Sequence, residues 1–366
     1  MSGQPCSSAT TVFSITIMLV IMGACTSSPE TTPSNSISQK TNNLQPVTET
    51  SVNKISSAQS SGDLIIFKGV CDGSAAVKLA GETILVAYDE ENTLFAFAMS
   101  GGLPTASIDL TALLKLDTSD EMDIEAATVA GDRIWWIGSH SLDSKGDYAA
   151  NRHMLFATNI PSPDLRDIKV VTKPVDITEL VLKSLTEKKI LTAGARNRFA
   201  KNGGINIEGL AASADGGLHV GFRSPLSGLT GTSGNALVVS LLPTGDMFEV
   251  QKVSQLDLGD RGIRDIINNG SGFMIIAGPV SSGGEFSIYA WNGFTPPQQI
   301  KRLDELNAEG ILDFGDHWLI LSDDGKMKRM LNEANDRDWK CDRIRRNNRY
   351  GDTHPGVFFR AKLIQK

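Results

Sequence analysis

One pattern recurs five times along this chain, and it constrains the fold more than anything else in the sequence. A polar or charged residue opens a short segment of small apolar residues, a glycine-bearing turn follows, and then comes a strongly apolar strand ending in polar residues. Asp72 leads through Ala75-Ala76-Val77 and Gly81 to Ile84-Leu85-Val86-Ala87 and Asp89. Glu125 leads past Gly131 to Ile134-Trp135-Trp136-Ile137 and His140. Glu208 leads past Gly216 to Leu218-His219-Val220-Gly221-Phe222 and Arg223. Arg264 leads past Gly270 to Phe273-Met274-Ile275-Ile276, and Glu309 past Gly315 to Trp318-Leu319-Ile320-Leu321.

Third strands are expected at 94–98, 154–158, 236–242 and 286–291, with more polar fourth strands at 168–172, 248–253 and 298–303. Four short strands per unit, with units opening about every 45 to 85 residues, are the signature of a β-propeller. A four-stranded sheet has two faces to cover, and stacking the sheets radially lets each cover its neighbour. We expect an all-β fold with five blades, six being the other count. The early segment 63–68 would pair with the last blade and close the ring, leaving no open edge there. Between the second and third units, Asp176-Ile177-Thr178-Glu179 resembles a capping box, so 177–191 is expected to be one inserted surface helix. Trp135 and Trp136 should face opposite sides of their sheet.

The start of the chain is of another kind. Residues 12–24, VFSITIMLVIMGA, are too short for a comfortable membrane span and suit the apolar region of a signal peptide. Met22-Gly23-Ala24-Cys25 resembles a lipobox, in which small residues precede a cysteine that becomes the acylated N-terminus. No Lys or Arg precedes the apolar run, which is atypical of such leaders. Residues 26–61 are rich in Ser, Thr, Asn and Gln and cannot bury enough surface to fold, so they read as a tether. The expected organisation is a signal peptide over 1–24, lipidated Cys25 and tether over 25–61, and the propeller over 62–366. That places the protein in the cell envelope, membrane-anchored through lipid, at the outer membrane if the cell is Gram-negative.

Of the four cysteines, Cys6 leaves with the leader and Cys25 takes lipid. Cys71 and Cys341 remain, one near each end of the folded region. Outside the cytoplasm a disulfide between them would staple first unit to last; the other reading is two separate buried thiols. A formal charge of −7 argues against nucleic acid as a partner.

Several further runs carry a family resemblance: Cys71-Asp72-Gly73-Ser74-Ala75-Ala76, Asp123-Ile124-Glu125-Ala126-Ala127 with Gly138-Ser139-His140-Ser141, Gly203-Gly204-Ile205-Asn206-Ile207-Glu208-Gly209-Leu210, and Leu256-Asp257-Leu258-Gly259-Asp260-Arg261-Gly262-Ile263-Arg264-Asp265. Together they resemble the bacterial family called domain of unknown function 3616, over roughly residues 64 to 295. The family's name brings no activity with it. A weaker architectural similarity is to esterase-like phytases and calcium-activated nucleotidases, which also place a Glu before a small-residue strand and carry calcium near the axis.

In a propeller the residues that open each unit point toward the hub. Asp72, Glu125, Glu208 and Glu309 are therefore candidate metal ligands. Converging carboxylates cannot all stay ionised without a cation, and calcium suits hard oxygen donors in loose geometry. Asp89, Arg152, Arg223 and Arg264 are candidate ligand-binding residues, with the arginines favouring a small anionic molecule. His140 is the candidate general acid or base. The bland alternative is a network tying neighbouring blades together. No Gly-x-Ser-x-Gly elbow, His-Glu-x-x-His or phosphate-binding loop is present. Two readings follow: a binding or scaffold propeller, or a metal-dependent hydrolase of phosphate esters.

Overall fold

The computed structural model describes residues 64–116, 121–228, 230–281, 283–328, 340–341 and 356–366. The leader, Cys25 and nearly all of the expected tether lie outside these residues, as does most of the charged stretch 329–355. The protein is a five-bladed β-propeller. Blade one is β2 (Ala75–Leu79), β3 (Thr83–Ala87), β4 (Thr93–Ala98) and β5 (Ala106–Asp109), followed by the short helix α1 (Leu110–Leu114). Blade two is β6 (Ile124–Ala130), β7 (Arg133–Gly138) and β8 (Leu155–Asn159). Blade three is β9 (Asn206–Ala212), β10 (Leu218–Ser224), β11 (Ala236–Thr244) and β12 (Met247–Leu256). Blade four is β13 (Gly262–Asn268), β14 (Phe273–Gly278), β15 (Phe286–Trp291) and β16 (Gln298–Leu303).

Blade five is assembled from both ends of the chain. β17 (Ala308–Asp313) and β18 (His317–Ser322) pair with the late strand β19 (Phe358–Gln365), and β19 pairs with β1 (Leu64–Lys68) on its outer side. The register runs from Leu64 opposite Lys362 to Lys68 opposite Phe358. Each inner strand neighbours the next around a ring, β2 to β6, β9, β13, β17 and back to β2.

Five apolar clusters fill the five gaps between blades. Trp136 belongs to the one between blades one and two, Trp135 to the one between two and three. Successive side chains of a strand point to opposite faces, so adjacent tryptophans serve different gaps. The closing gap holds Phe67, Phe97 and Phe359, with Phe67 stacked on Phe359 at 4.9 Å and edge-on to Phe97 at 5.3 Å. Beside them Cys71 and Cys341 form a disulfide that spans 270 residues of sequence.

Two expectations are corrected. Residues 168–172 form no strand; only isolated bridges, Thr158 with Val170 and Leu155 with Val175, occupy that edge, and blade two has three strands. The inserted helix α2 (Thr178–Glu187) is present but shorter than 177–191, and one face of it is buried. Val181, Leu182 and Leu185 are buried in the gap between blades two and three, against β12 among others. The helix supplies the apolar cover that a fourth strand gives elsewhere. Its start is held by Asp176, whose Oδ1 accepts from the Thr178 backbone N–H at 2.8 Å. Among the described residues no helix is long and apolar enough to cross a membrane.

Candidate functional site

The hub residues owe their direction to a repeated defect in the ladders. Between inner and second strand, the pairing skips a residue at Glu125 in blade two, Glu208 in blade three, Arg264 in blade four and Glu309 in blade five. Each is a β-bulge, where an unpaired residue is turned out of the regular alternation. Arg223 is skipped in the same way on β10. Blade one pairs without a shift, and there the acids flank the strands: Asp72 before β2 and Asp89 after β3.

These side chains divide into two groups. In the first, Arg264 is fully enclosed and lies between two glutamates from the flanking blades. Its Nε is 3.0 Å from Glu208 Oε2, and its Nη2 pairs with Glu309. Glu208 Oε1 also accepts from Arg223 Nη1 and from Asn206 Nδ2, both at 2.7 Å. Arg223 uses its Nε on the Val280 carbonyl at 3.1 Å. Burial pulls the Arg264 guanidinium down to about 10, against the opposing pull of Glu208. Burial also acts on Arg223, but Glu208 together with Glu125 and Asp323 more than offsets it, and Arg223 is raised. Glu208, Glu309, Arg223 and Arg264 thus form a network that ties blades three, four and five. Next to it, Asp265 accepts from the backbone N–H of Ile266 and, across the gap to β17, of Ile311; burial raises its carboxyl to about 7.

The second group comes from blades one and two. Asp89, Asp123 and Glu125 each place a carboxylate oxygen within 4.8 Å of the others. Asp123 sits at the mouth of β6 with a left-handed φ of 51°, a conformation Asp tolerates better than most residues. It accepts from Arg152 Nη1 at 2.6 Å, and Arg152 also pairs with Glu121. Gly138 permits this approach, since a Cβ there would come within 2.4 Å of the Arg152 carbonyl and 2.8 Å of the Met122 carbonyl. Asp89 lies among Asp72, Asp123, Asp323 and Glu90, and its Oδ1 is buried without a hydrogen-bond partner. Asp72 accepts from Ser74 Oγ at 3.0 Å and lies beside Asp89.

Electrostatics follows from this division. Burial, then the neighbouring Asp123, Asp323 and Glu90, hold Asp89 well above the carboxylate range. Glu125 is raised strongly by burial and by Glu208, Asp123 and Asp89, with Arg264 opposing. Asp123 is raised less, because Arg152 works against its burial. A cavity of about 540 Å³ opens beside this half of the hub, lined by Glu90, Glu91, Asp109, Glu121, Lys145 and Arg152 among others.

The expected residues therefore do not all meet at one point. Of the four expected metal ligands, only Glu125 lies in the three-carboxylate group. Asp72 touches its edge, while Glu208 and Glu309 are engaged by arginine. Asp89 is brought into the carboxylate group rather than beside an arginine clamp. Asp123 was not singled out as a ligand in the sequence, although it stands two residues before Glu125. His140 lies apart, with His153 and Asp176 as its charged neighbours. Its backbone has φ 54°, and its Nδ1 donates to the Gly138 carbonyl at 2.9 Å. Burial lowers it to about 4, so the ring is neutral near pH 7.

No curated protein matches the chain. Among solved structures, the PQQ-bound aldose sugar dehydrogenase from Streptomyces coelicolor is similar at 10% identity and a TM-score of 0.39, over 84% of this chain and 100% of that one. A luciferin-regenerating enzyme is similar at 7% identity and a TM-score of 0.39, over 84% of this chain and 96% of that one. Neither likeness bears on the chemistry of the hub. The family model described as "Protein of unknown function (DUF3616)" matches residues 73–157 and 172–317, which carry the bulged hub residues Glu125, Glu208, Arg264 and Glu309, and the chain belongs to that family.

Proposed function

We propose that this protein is a lipid-anchored cell-envelope propeller that binds rather than turns over its ligand, and that it holds a divalent cation, calcium, on Asp89, Asp123 and Glu125. The observation that carries the reading is the grouping of Asp89, Asp123 and Glu125 with one oxygen of each within 4.8 Å of the others, while Asp89 Oδ1 is buried without a hydrogen-bond partner. A calcium ion takes six to eight oxygens in flexible geometry. Three side chains would supply part of that shell, and the adjoining cavity leaves room for oxygen atoms of water or a ligand. An anionic small molecule would reach the site through the ion. Arg152 supports it from one side, whereas Arg223 and Arg264 are committed to Glu208 and Glu309.

The alternative, metal-dependent hydrolysis of phosphate esters, needs a proton shuttle at the ion. His140 has no charged neighbour in the carboxylate group, and no observation favours turnover over binding. The envelope location rests on the sequence of residues 12–25, and the lipid would be carried by Cys25.

Thermal unfolding of the purified full chain tests the cation. Calcium at about 100 times its dissociation constant should add about 2.7 kcal/mol of stability. Asp89→Asn should remove most of that gain while leaving the melting of the calcium-free protein at pH 5 close to wild type. If no divalent ion raises the melting temperature, the cation reading fails.

A further inference from the structure

A second group of polar atoms lies away from the hub, in the gap beside α2. His140 and His153 are both almost wholly enclosed, and the Nε2 atom of each is buried with no hydrogen-bond partner. Their rings stand 5.4 Å apart at 60°. Both line a cavity of about 300 Å³ together with Tyr148, Thr178, Arg196 and Arg198.

Hydrogen bonding assigns the protons. The Gly138 carbonyl can only accept, so His140 carries its proton on Nδ1 and presents a bare lone pair at Nε2. His153 Nδ1 is 2.8 Å from Thr178 Oγ1, a hydroxyl that can accept its proton and leave Nε2 free. An imidazole whose Nδ1–H is held by a carbonyl or a carboxylate, with Nε2 free, is the arrangement that surrounds metal-bound histidines. The spacing also fits. With metal–nitrogen distances of about 2.0–2.1 Å, two imidazoles on one tetrahedral ion have ring centres about 5 Å apart. Neither Nε2 is exposed to solvent, so each is left unsatisfied in the wall of the cavity.

We propose that His140 and His153 form a second metal site, selective for a nitrogen-preferring divalent transition metal such as zinc, with its remaining positions open to the cavity. Imidazole pairs favour zinc, copper and nickel, while the all-oxygen group at the hub favours calcium or magnesium. The two sites therefore differ in the ion they take, and this proposal does not depend on the hub holding one.

Zinc alone is the probe. Titration calorimetry and melting of the full chain should show one zinc equivalent bound in the wild type and in Asp89→Asn. His140→Gln and His153→Gln should each weaken zinc binding by about 100-fold or more, with calcium-induced stabilisation unchanged. Zinc X-ray absorption on the wild type guards against a variant that does not fold, and two imidazole nitrogens are the expected shell. No zinc uptake, uptake that survives both histidine substitutions, uptake abolished by Asp89→Asn, or an all-oxygen shell would each overturn the proposal.

Discussion

Raised carboxyls make a signed prediction about pH. Asp89, Glu125 and Asp265 keep their protons longer in the folded chain than in the unfolded one, where they titrate near 3.8 to 4.5. Such groups contribute stability that is fully present below the unfolded value and is lost as pH rises through the folded value. Without calcium, stability from these residues should therefore fall from pH 5 toward pH 8, with the Asp265 part complete by about pH 7. Calcium should flatten the profile, and so should Asp89→Asn. Denaturant unfolding at pH 5 and pH 8 measures it; a calcium-free profile that rises toward pH 8 and is indifferent to Asp89→Asn would contradict it. His140, lowered to about 4, acts in the opposite sense below its unfolded value of 6.5, and the comparison with Asp89→Asn cancels that contribution. Residue by residue, Glu125, Glu208 and Glu309 were legible because each opens a repeat. Their fates were not. Whether an acid meets a cation, another acid or an arginine depends on the next blade, and Arg264 decides it for two of the three.

At the scale of elements, most strands were legible, since apolar runs bounded by glycine turns have few other uses. The bulges were not, because a skipped residue depends on how two strands align, and no residue type marks it. Residues 168–172 misled for a related reason: a mildly apolar segment can lie along an edge without pairing regularly. The partner of β8 is instead a patchwork of isolated bridges, backed by α2. Two consequences are measurable. Leu185, completely buried on the inner face of α2, should cost about 2–5 kcal/mol when changed to Ala. Phe359, central to the aromatic group that joins β19 to its neighbours, should cost about 3–5 kcal/mol as Phe359→Ala. Chemical denaturation checks both, and losses under 1 kcal/mol would mean that these gaps are packed otherwise.

For the whole molecule, closure is the decisive event. The last blade is completed by strands from both ends of the described chain, and the Cys71–Cys341 disulfide lies beside that seam. A crosslink closing so long a loop restricts the unfolded chain, and Cys71→Ser with Cys341→Ser should cost about 2–5 kcal/mol in unfolding experiments. An unchanged stability would mean that strand pairing and the Phe67–Phe359 stack suffice. Upstream of the ring, Cys25→Ser should release the protein from membranes into the soluble fraction, and retention there would count against the lipid. What the sequence determined by itself is the repeat: its spacing and its apolar strands leave radial stacking as the economical way to cover ten sheet faces. Only the tertiary structure decided which hub residues meet, because contacts between blades join positions far apart in sequence, Asp89 to Asp123 being 34 residues apart and Glu208 to Arg264 56. It placed Arg264 between Glu208 and Glu309, left Asp89, Asp123 and Glu125 facing one another, and turned His140 away toward His153.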